Sequence, residues 1–380
     1  MIYRKFGNTG EKVSVIGFGC MRLPEIEQDG KWSMDQEKID EMLSYAYEHG
    51  INYFDSAPYY CHHHSEEAVG HAVKPFRDKV LLSTKLPGGD VKKPEDMWKF
   101  LEQSLTRLQT DHVDFYHVWG TNYNAFKAEI VERGVIPELR KAKEQGMVRH
   151  VSFSFHDKHE NIKKIIELAE AEGLPMESML VQYNMLDRGV EDMLVYANGE
   201  KGLGTVAMGP VGGGRLAART KFTDALAGDT GLTSYELAFR FVLGNPNLCC
   251  ALSGMRNLDN VKANCAIGES DKPLSEEEWR QIGEAVERLR KFSDLYCTGC
   301  GYCQPCPKGI DIPYIFDQFT HYNVYGLPEN AKNGFRHYVE QRHGATSKDC
   351  INCGKCERSC PQKLEIRKQL KRVEEILSNL

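Results

Sequence analysis

The chain has 380 residues, 41% of them hydrophobic and 27% charged, with a formal net charge of −6. Both signs are mixed along the chain, so there is no basic face for a phosphate-rich partner, and nucleic acid is not an expected ligand. No apolar run approaches bilayer-spanning length, and the start, MIYRKFGNTGEKVSVIGFG, lacks the long apolar stretch of a secretory signal; the expectation is a cytoplasmic protein with no membrane partner. In chain order, Ile2–Phe6 with Gly7–Gly10 predicts a small hairpin. Short apolar runs then recur at Val13–Phe18, Ile51–Phe54, Val80–Ser83, Val113–Val118, Val148–Phe155, Met179–Tyr183, Thr205–Met208 and Leu248–Leu252. Each is of strand length and several are β-branched or aromatic. Helical patterns lie between them, among them Met34–Glu48, Pro94–Leu108, Lys127–Glu144 and Lys158–Glu172. Strand and helix in eightfold alternation predict an α/β fold, a (β/α)8 TIM barrel, with an open doubly wound sheet as the alternative. Ser275–Phe292 predicts a further helix, with Ser275 and Glu278 as its capping box, and Leu364 to about Leu377 predicts the last one. The expected division is a barrel over 1–290 and a small helical iron–sulfur domain over 291–380.

That second domain is expected from cysteines. The chain has thirteen, and eight fall in two tight groups after residue 296. A reducing compartment argues against disulfides, so spacing decides their use. The first group is Cys297, Cys300, Cys303 and Cys306, followed by Pro307; the second is Cys350, Cys353, Cys356 and Cys360, followed by Pro361. Three thiolates at every third position wrap one face of an iron–sulfur cube. The second group matches the bacterial C-x2-C-x2-C-x3-C-P run. The first departs from it, with two residues between Cys303 and Cys306, and the gap to Cys350 is longer than is usual in ferredoxins. Zinc is the alternative, but it needs only paired C-x2-C knuckles, without a third cysteine at the same spacing or a trailing proline.

Chemistry in a (β/α)8 barrel sits where the strands end. The second predicted strand ends in Asp55, the third in Lys85, and the fourth carries His117; Tyr60 lies just beyond the first of these. Taken singly, an Asp–Lys pair is usually structural and a lone histidine a satisfied core residue. Four such groups at one rim point to a site.

Residues 1–290 resemble the aldo-keto reductase family through "NYFDSAPYY", "LLSTK" and "VDFYHV", and the tail resembles the dicluster ferredoxins. Together they resemble the iron–sulfur aldo-keto reductases of anaerobic microbes. The likeness implies reduction of a small-molecule carbonyl substrate by NADP(H), with Tyr60 giving the proton, Lys85 supplying positive charge, Asp55 holding Lys85, and His117 orienting the carbonyl oxygen. It also implies cofactor contacts. Ser154 takes the serine place of the family's G-V-S-N stretch, and Phe155 stands where Asn is usual, with His156 as its replacement. Gln182 is a carboxamide partner, and Met208 holds the ring-stacking position. The stretch "GTVAMGPVGGGRLA" adds Pro210, Gly212, Gly213 and Gly214, with glycines that let backbone approach a pyrophosphate. "SGMRNLDNVKAN" supplies Gly254, Arg256, Asn260 and Asn264, with Arg256 placed for a 2′-phosphate. From the tail, the rule of two-cluster ferredoxins implies two 4Fe-4S clusters with crossed ligands: Cys297, Cys300, Cys303 and Cys360 for one, Cys350, Cys353, Cys356 and Cys306 for the other.

Two stretches invite other readings. "GFGCMR" approaches G-x-G-x-x-G, but Arg22 takes the third place and no helix opens there, so Gly19, Met21 and Arg22 are expected at the barrel mouth, not in a Rossmann turn. In "CHHHSEE", three adjacent histidines diverge too much to share one ion; Ser65 with Glu66 and Glu67 predicts a helix start after a loop. Tyr59, Trp119, Phe155 and Met21 would make an apolar site suited to an aromatic or alicyclic carbonyl. Nicotinamide delivers two electrons and a cluster accepts one, and no flavin site is legible to convert between them. The clusters are therefore read as structural, as sensors, or as carriers to a ferredoxin or other redox partner. The competing class is a non-catalytic electron-transfer or regulatory subunit on the same scaffold, which would have no need of Tyr60, Lys85 and His117 together.

Overall fold

In the computed structural model the described residues are 1–214, 216–217, 223–224, 227, 231–270, 274–290, 297, 299–323 and 328–380. The glycine-rich turn after Phe6 folds the start of the chain into the expected hairpin, β1 (Tyr3–Lys5) paired antiparallel with β2 (Lys12–Ser14). The run Val13–Phe18 is not one strand. Ser14 Oγ donates back to the Ile16 carbonyl at 2.7 Å, and the run divides there between β2 and the first barrel strand, β3 (Ile16–Gly19). A second hairpin, which the sequence analysis did not anticipate, follows as β4 (Glu25–Gln28) and β5 (Lys31–Met34). Its two-residue turn is Asp29–Gly30, with φ of 52° and 73°, the pair of positive values that an Asp-Gly hairpin turn supplies.

The remaining strands are β6 (Tyr53–Asp55), β7 (Leu81–Leu86), β8 (Val113–Thr121), β9 (Val148–Phe155), β10 (Ser178–Gln182), β11 (Gly204–Met208) and β12 (Cys250–Gly254). With β3 they close a barrel in the order β10-β11-β12-β3-β6-β7-β8-β9, every pairing parallel. Helices cover the strands, so the strands read as near-continuous apolar runs, not alternating ones; all six residues of β7 are buried. Phe6 plugs the end where the strands begin, its ring 4.8 Å from Phe115 and 5.9 Å from Tyr53. The opposite, C-terminal end is left to carry polar groups.

The helices follow the predicted pattern with local exceptions. Gln36–Glu48 is capped by Asp35, which accepts from the Lys38 N–H. The stretch Lys127–Glu144 is broken: Gly134, at φ 73°, ends a wide turn over Phe126–Val131 and begins the helix Val135–Glu144. Ser65 does start a helix, Ser65–Val73. The predicted box at Ser275 forms in both directions, with the Ser275 N–H donating to Glu278 Oε2 at 2.6 Å and the Glu278 N–H to Ser275 Oγ at 3.2 Å, ahead of the helix Glu276–Arg290. Phe292, the predicted end of that helix, lies outside the described residues.

Met1–Pro210 with Phe239–Pro273 form one compact unit, and Val211–Ala238 with Leu274–Leu380 a second. The second unit's core includes Ile312, Ile315, Phe316, Phe319, Leu370 and Val373, drawn from the helices Ile312–Asn323 and Ile366–Ser378. Each fully buried side chain of this kind contributes about 1.5–3 kcal/mol. Among the described residues no helix is long and apolar enough to cross a membrane.

Candidate functional site

Parallel register brings the rim groups together. Asp55 ends β6 beside Gly19 of β3 and Ser83 of β7, and Lys85 of β7 pairs with His117 of β8. Asp55, Lys85 and His117 are all buried. A buried ammonium is costly unless it is fully paired, and Lys85 is: its Nζ donates to Asp55 Oδ2 and to the Ser56 carbonyl, each at 2.6 Å. Ser83 Oγ donates to the other carboxylate oxygen, Asp55 Oδ1, at 2.7 Å. Ser56 and Ser83 were not singled out from sequence. They are common residue types in strand contexts, and only the register reveals that they complete the charge pair.

The Lys85 ammonium also lies over the half-buried Tyr60 ring, 4.8 Å from its centroid. This places positive charge beside the phenol, the arrangement that favours its anion. Trp119 meets Tyr60 edge-on at 5.7 Å and Tyr59 at 5.3 Å, and Tyr59 donates its hydroxyl to Asp90 Oδ2 at 2.6 Å. His117 Nε2 shares a 3.3 Å hydrogen bond with the Tyr53 hydroxyl and stands 3.9 Å from Asp55 Oδ1. Its Nδ1 is buried with no hydrogen-bond partner. Burial, and then the Lys85 ammonium, hold this imidazole well below its ordinary pKa, so it is neutral.

Further round the rim, Ser154 is buried in β9 and its Oγ accepts the Gly120 N–H at 2.7 Å. Gln182 ends β10 in register with Met208 of β11, and both are half-buried. Asn184, part of the quoted VQYN but not singled out, is fully buried and donates to the Gly209 carbonyl at 3.0 Å, fixing the turn after Met208. His156 follows β9, its N–H donating to the Thr121 carbonyl. Met21 and Arg22 follow Gly19 in a short turn, and the Arg22 side chain packs close to Gly254. Arg256 is exposed, its N–H accepted by Asn260 Oδ1 at 3.2 Å, and Asn264 donates to the Asn260 carbonyl at 2.8 Å. Pro210 belongs to the barrel unit, while Gly212, Gly213 and Gly214 belong to the second.

Among the described residues no three potential metal ligands converge as a metal site, but one cavity in the second unit is lined by cysteines. Cys303, Cys306, Cys350, Cys353 and Cys356 line this cavity, whose walls include Ile310, Ile312 and Leu370. Burial, then Cys297 and Cys300, push the Cys303 thiol up to about 12, with Cys360 adding to the rise. Cys360 in turn is raised by burial and by Cys300. The cavity, thiol-rich and apolar-walled, offers the thiolates that iron–sulfur clusters take as ligands. Cations surround it: Arg367 and Arg358 donate to the carbonyls of Asn352 and Cys353, and Lys355 to that of Pro305.

A family model described as "Aldo/keto reductase family" matches residues 15–287. The chain belongs to that family. A second model, "4Fe-4S dicluster domain", matches residues 296–366, so this aldo/keto reductase carries an iron–sulfur domain behind its barrel. Among its relatives is L-galactose dehydrogenase of Arabidopsis thaliana, 26% identical over 77% of this chain and 98% of that protein. An uncharacterized oxidoreductase of Bacillus subtilis, YqkF, is 24% identical over 73% of this chain and 94% of its own length. The aldo-keto reductase AKR11C1 of Bacillus halodurans, in its holo form, superposes with a TM-score of 0.63 and 27% identity over 75% of this chain and 96% of that one. An aldo/keto reductase from Klebsiella pneumoniae, solved with NADP and acetate, superposes with a TM-score of 0.61 at 24% identity, over 74% of this chain and 94% of that one. The protein is therefore an oxidoreductase of the aldo/keto reductase family on a (β/α)8 barrel.

Proposed function

We propose that the protein is a cytoplasmic reductase of an aromatic or alicyclic carbonyl compound, using NADPH at the barrel rim and carrying two 4Fe-4S clusters in its C-terminal domain. The observation that carries this reading is the Asp55–Lys85 pair with its ammonium 4.8 Å from the Tyr60 ring centroid. NADPH, when bound, supplies the hydride that goes to the carbonyl carbon. Tyr60 gives its phenolic proton to the developing alkoxide, and the Lys85 charge stabilises the phenolate left behind. Asp55, held by Ser83, keeps Lys85 in place. Neutral His117 orients the carbonyl oxygen, a role supported by its unpartnered Nδ1.

The family likeness carries Gly19, Met21, Arg22, Ser154, His156, Gln182, Met208, Pro210, Gly212, Gly214, Gly254, Arg256, Asn260 and Asn264 as cofactor contacts. Exposed Arg256 is placed for the 2′-phosphate that separates NADP from NAD. The fit to the clusters rests on the cavity walled by Cys306, Cys350, Cys353 and Cys356 and on the mutual effect of Cys303, Cys297, Cys300 and Cys360. We assign the ligands in the crossed sets, Cys297, Cys300 and Cys303 with Cys360, and Cys350, Cys353 and Cys356 with Cys306. The clusters carry single electrons, and the partner is a ferredoxin or similar one-electron carrier. We take the boundary between the reductase and cluster parts at residues 290 and 291, as the sequence suggests.

The test is NADPH oxidation by cluster-loaded protein against a panel of aromatic and alicyclic ketones and aldehydes. Tyr60→Phe should lower kcat by about 10²–10⁴-fold. Full activity in Tyr60→Phe removes the assignment.

A further inference from the structure

The stretch after Tyr60 has an unusual backbone. Cys61, His62 and His63 have φ of 48°, 50° and 74°, three successive non-glycine residues in the left-handed region. Each such residue costs about 1–2 kcal/mol, and such strain persists only where the surroundings over-determine it. The surroundings here are specific. The His62 ring stacks on Trp32 of β5, with centroids 4.3 Å apart and planes 10° apart. Its Nδ1 is 2.6 Å from Glu25 Oε1 of β4. One turn earlier in the chain, the Cys20 carbonyl accepts from Ser65 Oγ at 2.8 Å and from Cys61 Sγ at 3.6 Å. The strained turn is bound to Tyr60 itself, because the N–H groups of His63 and Ser65 both donate to the Tyr60 carbonyl, at 3.0 and 3.3 Å.

We propose that His62 is a positioning residue for Tyr60: its ring, gripped by Trp32 and Glu25 of the second hairpin, locks the left-handed turn that sets the Tyr60 main chain. This rests on the reading of Tyr60 as proton donor. The hairpin β4–β5 thus has a use beyond its own pairing. It is the anchor for a turn that would otherwise relax and carry the phenol away from Lys85. Histidine suits this place because one ring offers both a flat face for Trp32 and an N–H for Glu25.

The experiment compares His62→Ala and His62→Phe in the full, cluster-loaded chain by steady-state kinetics and by amide hydrogen exchange of residues 60–65. In His62→Ala, kcat for carbonyl reduction should fall on the order of 10- to 100-fold, with KM and the NADPH dissociation constant within about twofold. His62→Phe keeps the stack and should restore kcat to within about threefold of the parent. Exchange should quicken over residues 60–65 in the alanine variant alone. A His62→Ala enzyme with parental kcat, or a His62→Phe enzyme as slow as His62→Ala, overturns the proposal. If the parent reduces no carbonyl at all, the carbonyl reading fails by itself and exchange decides: quickening confined to residues 60–65 upholds the lock, and unchanged exchange overturns it. Should His62→Ala not fold, Trp32→Ala on the hairpin surface removes the same stack and is judged by the same criteria.

Discussion

Burial decides the charge state of His117, and that has a consequence for stability. The imidazole is neutral in the folded chain because burial and the Lys85 ammonium depress its pKa below the ordinary 6.5. Below that value the unfolded chain takes up a proton that the folded chain refuses. Stability contributed by this group is therefore complete above pH 6.5 and is lost as pH falls below it, by at most about 1.4 kcal/mol per pH unit. His117→Asn should flatten the fall in urea midpoint between pH 6.5 and 5.5 by the share of one proton; an unchanged slope would mean that His117 is protonated in the folded protein. Lys85 is secured differently. Its two 2.6 Å hydrogen bonds and the Ser83 bond to Asp55 form a closed set. Removing one member leaves a buried charge unpaired, which costs about 3–5 kcal/mol.

At the level of elements, tight packing fixes where the rim lies. The helices Ser65–Val73 and Asp96–Leu108 cross at Gly70, where an added Cβ would stand 2.5 Å from the Leu108 carbonyl carbon. Backbone cannot yield there as a flexible side chain would, so Gly70→Ala should destabilise the barrel by about 1–3 kcal/mol. Urea unfolding checks this, and an unshifted midpoint refutes it. Much of this architecture was legible in the sequence. Buried parallel strands are long apolar runs, and eight of them mark the barrel; Asp55, Lys85 and His117 were legible because strand ends carry chemistry in such folds. What escaped was local hydrogen bonding. The break after Ser14 depends on one hydroxyl, and the break at Gly134 on one left-handed residue inside a helical pattern. The second hairpin carried its own signal, Asp29–Gly30 between Ile26 and Trp32, but its strands are exposed and lack an apolar run. The role of His62 was illegible because it depends on a stack with a residue thirty positions earlier.

On the scale of the whole molecule, two kinds of electron carrier occupy one chain. Hydride moves electrons in pairs and a 4Fe-4S cube accepts them singly, so under the proposed reading no direct exchange between the reductase rim and the clusters is expected without a flavin. NADPH added anaerobically to loaded protein should leave the clusters' visible absorbance and electron paramagnetic resonance unchanged, while dithionite should reduce them; reduction by NADPH alone would show that the two parts share electrons. The cysteine arrangement makes a separate prediction. Cys303 and Cys306 line one cavity with three cysteines of the second group, and the proposed ligation gives Cys306 to that group and Cys360 to the first. In the full-length chain, replacing Cys350, Cys353, Cys356 and Cys360 by serine should abolish both clusters, whereas half the iron would remain if each group served itself. The proposed interleaving would also govern how the protein is made. Translation delivers the chain from its N-terminus at about 5–20 residues per second. The first four thiols emerge well before the second four; in the proposed crossed sets Cys306 waits for Cys356, and Cys297, Cys300 and Cys303 wait for Cys360. Under the proposed crossed ligation, a chain that stops before Cys356 has no complete ligand set and should carry no cluster.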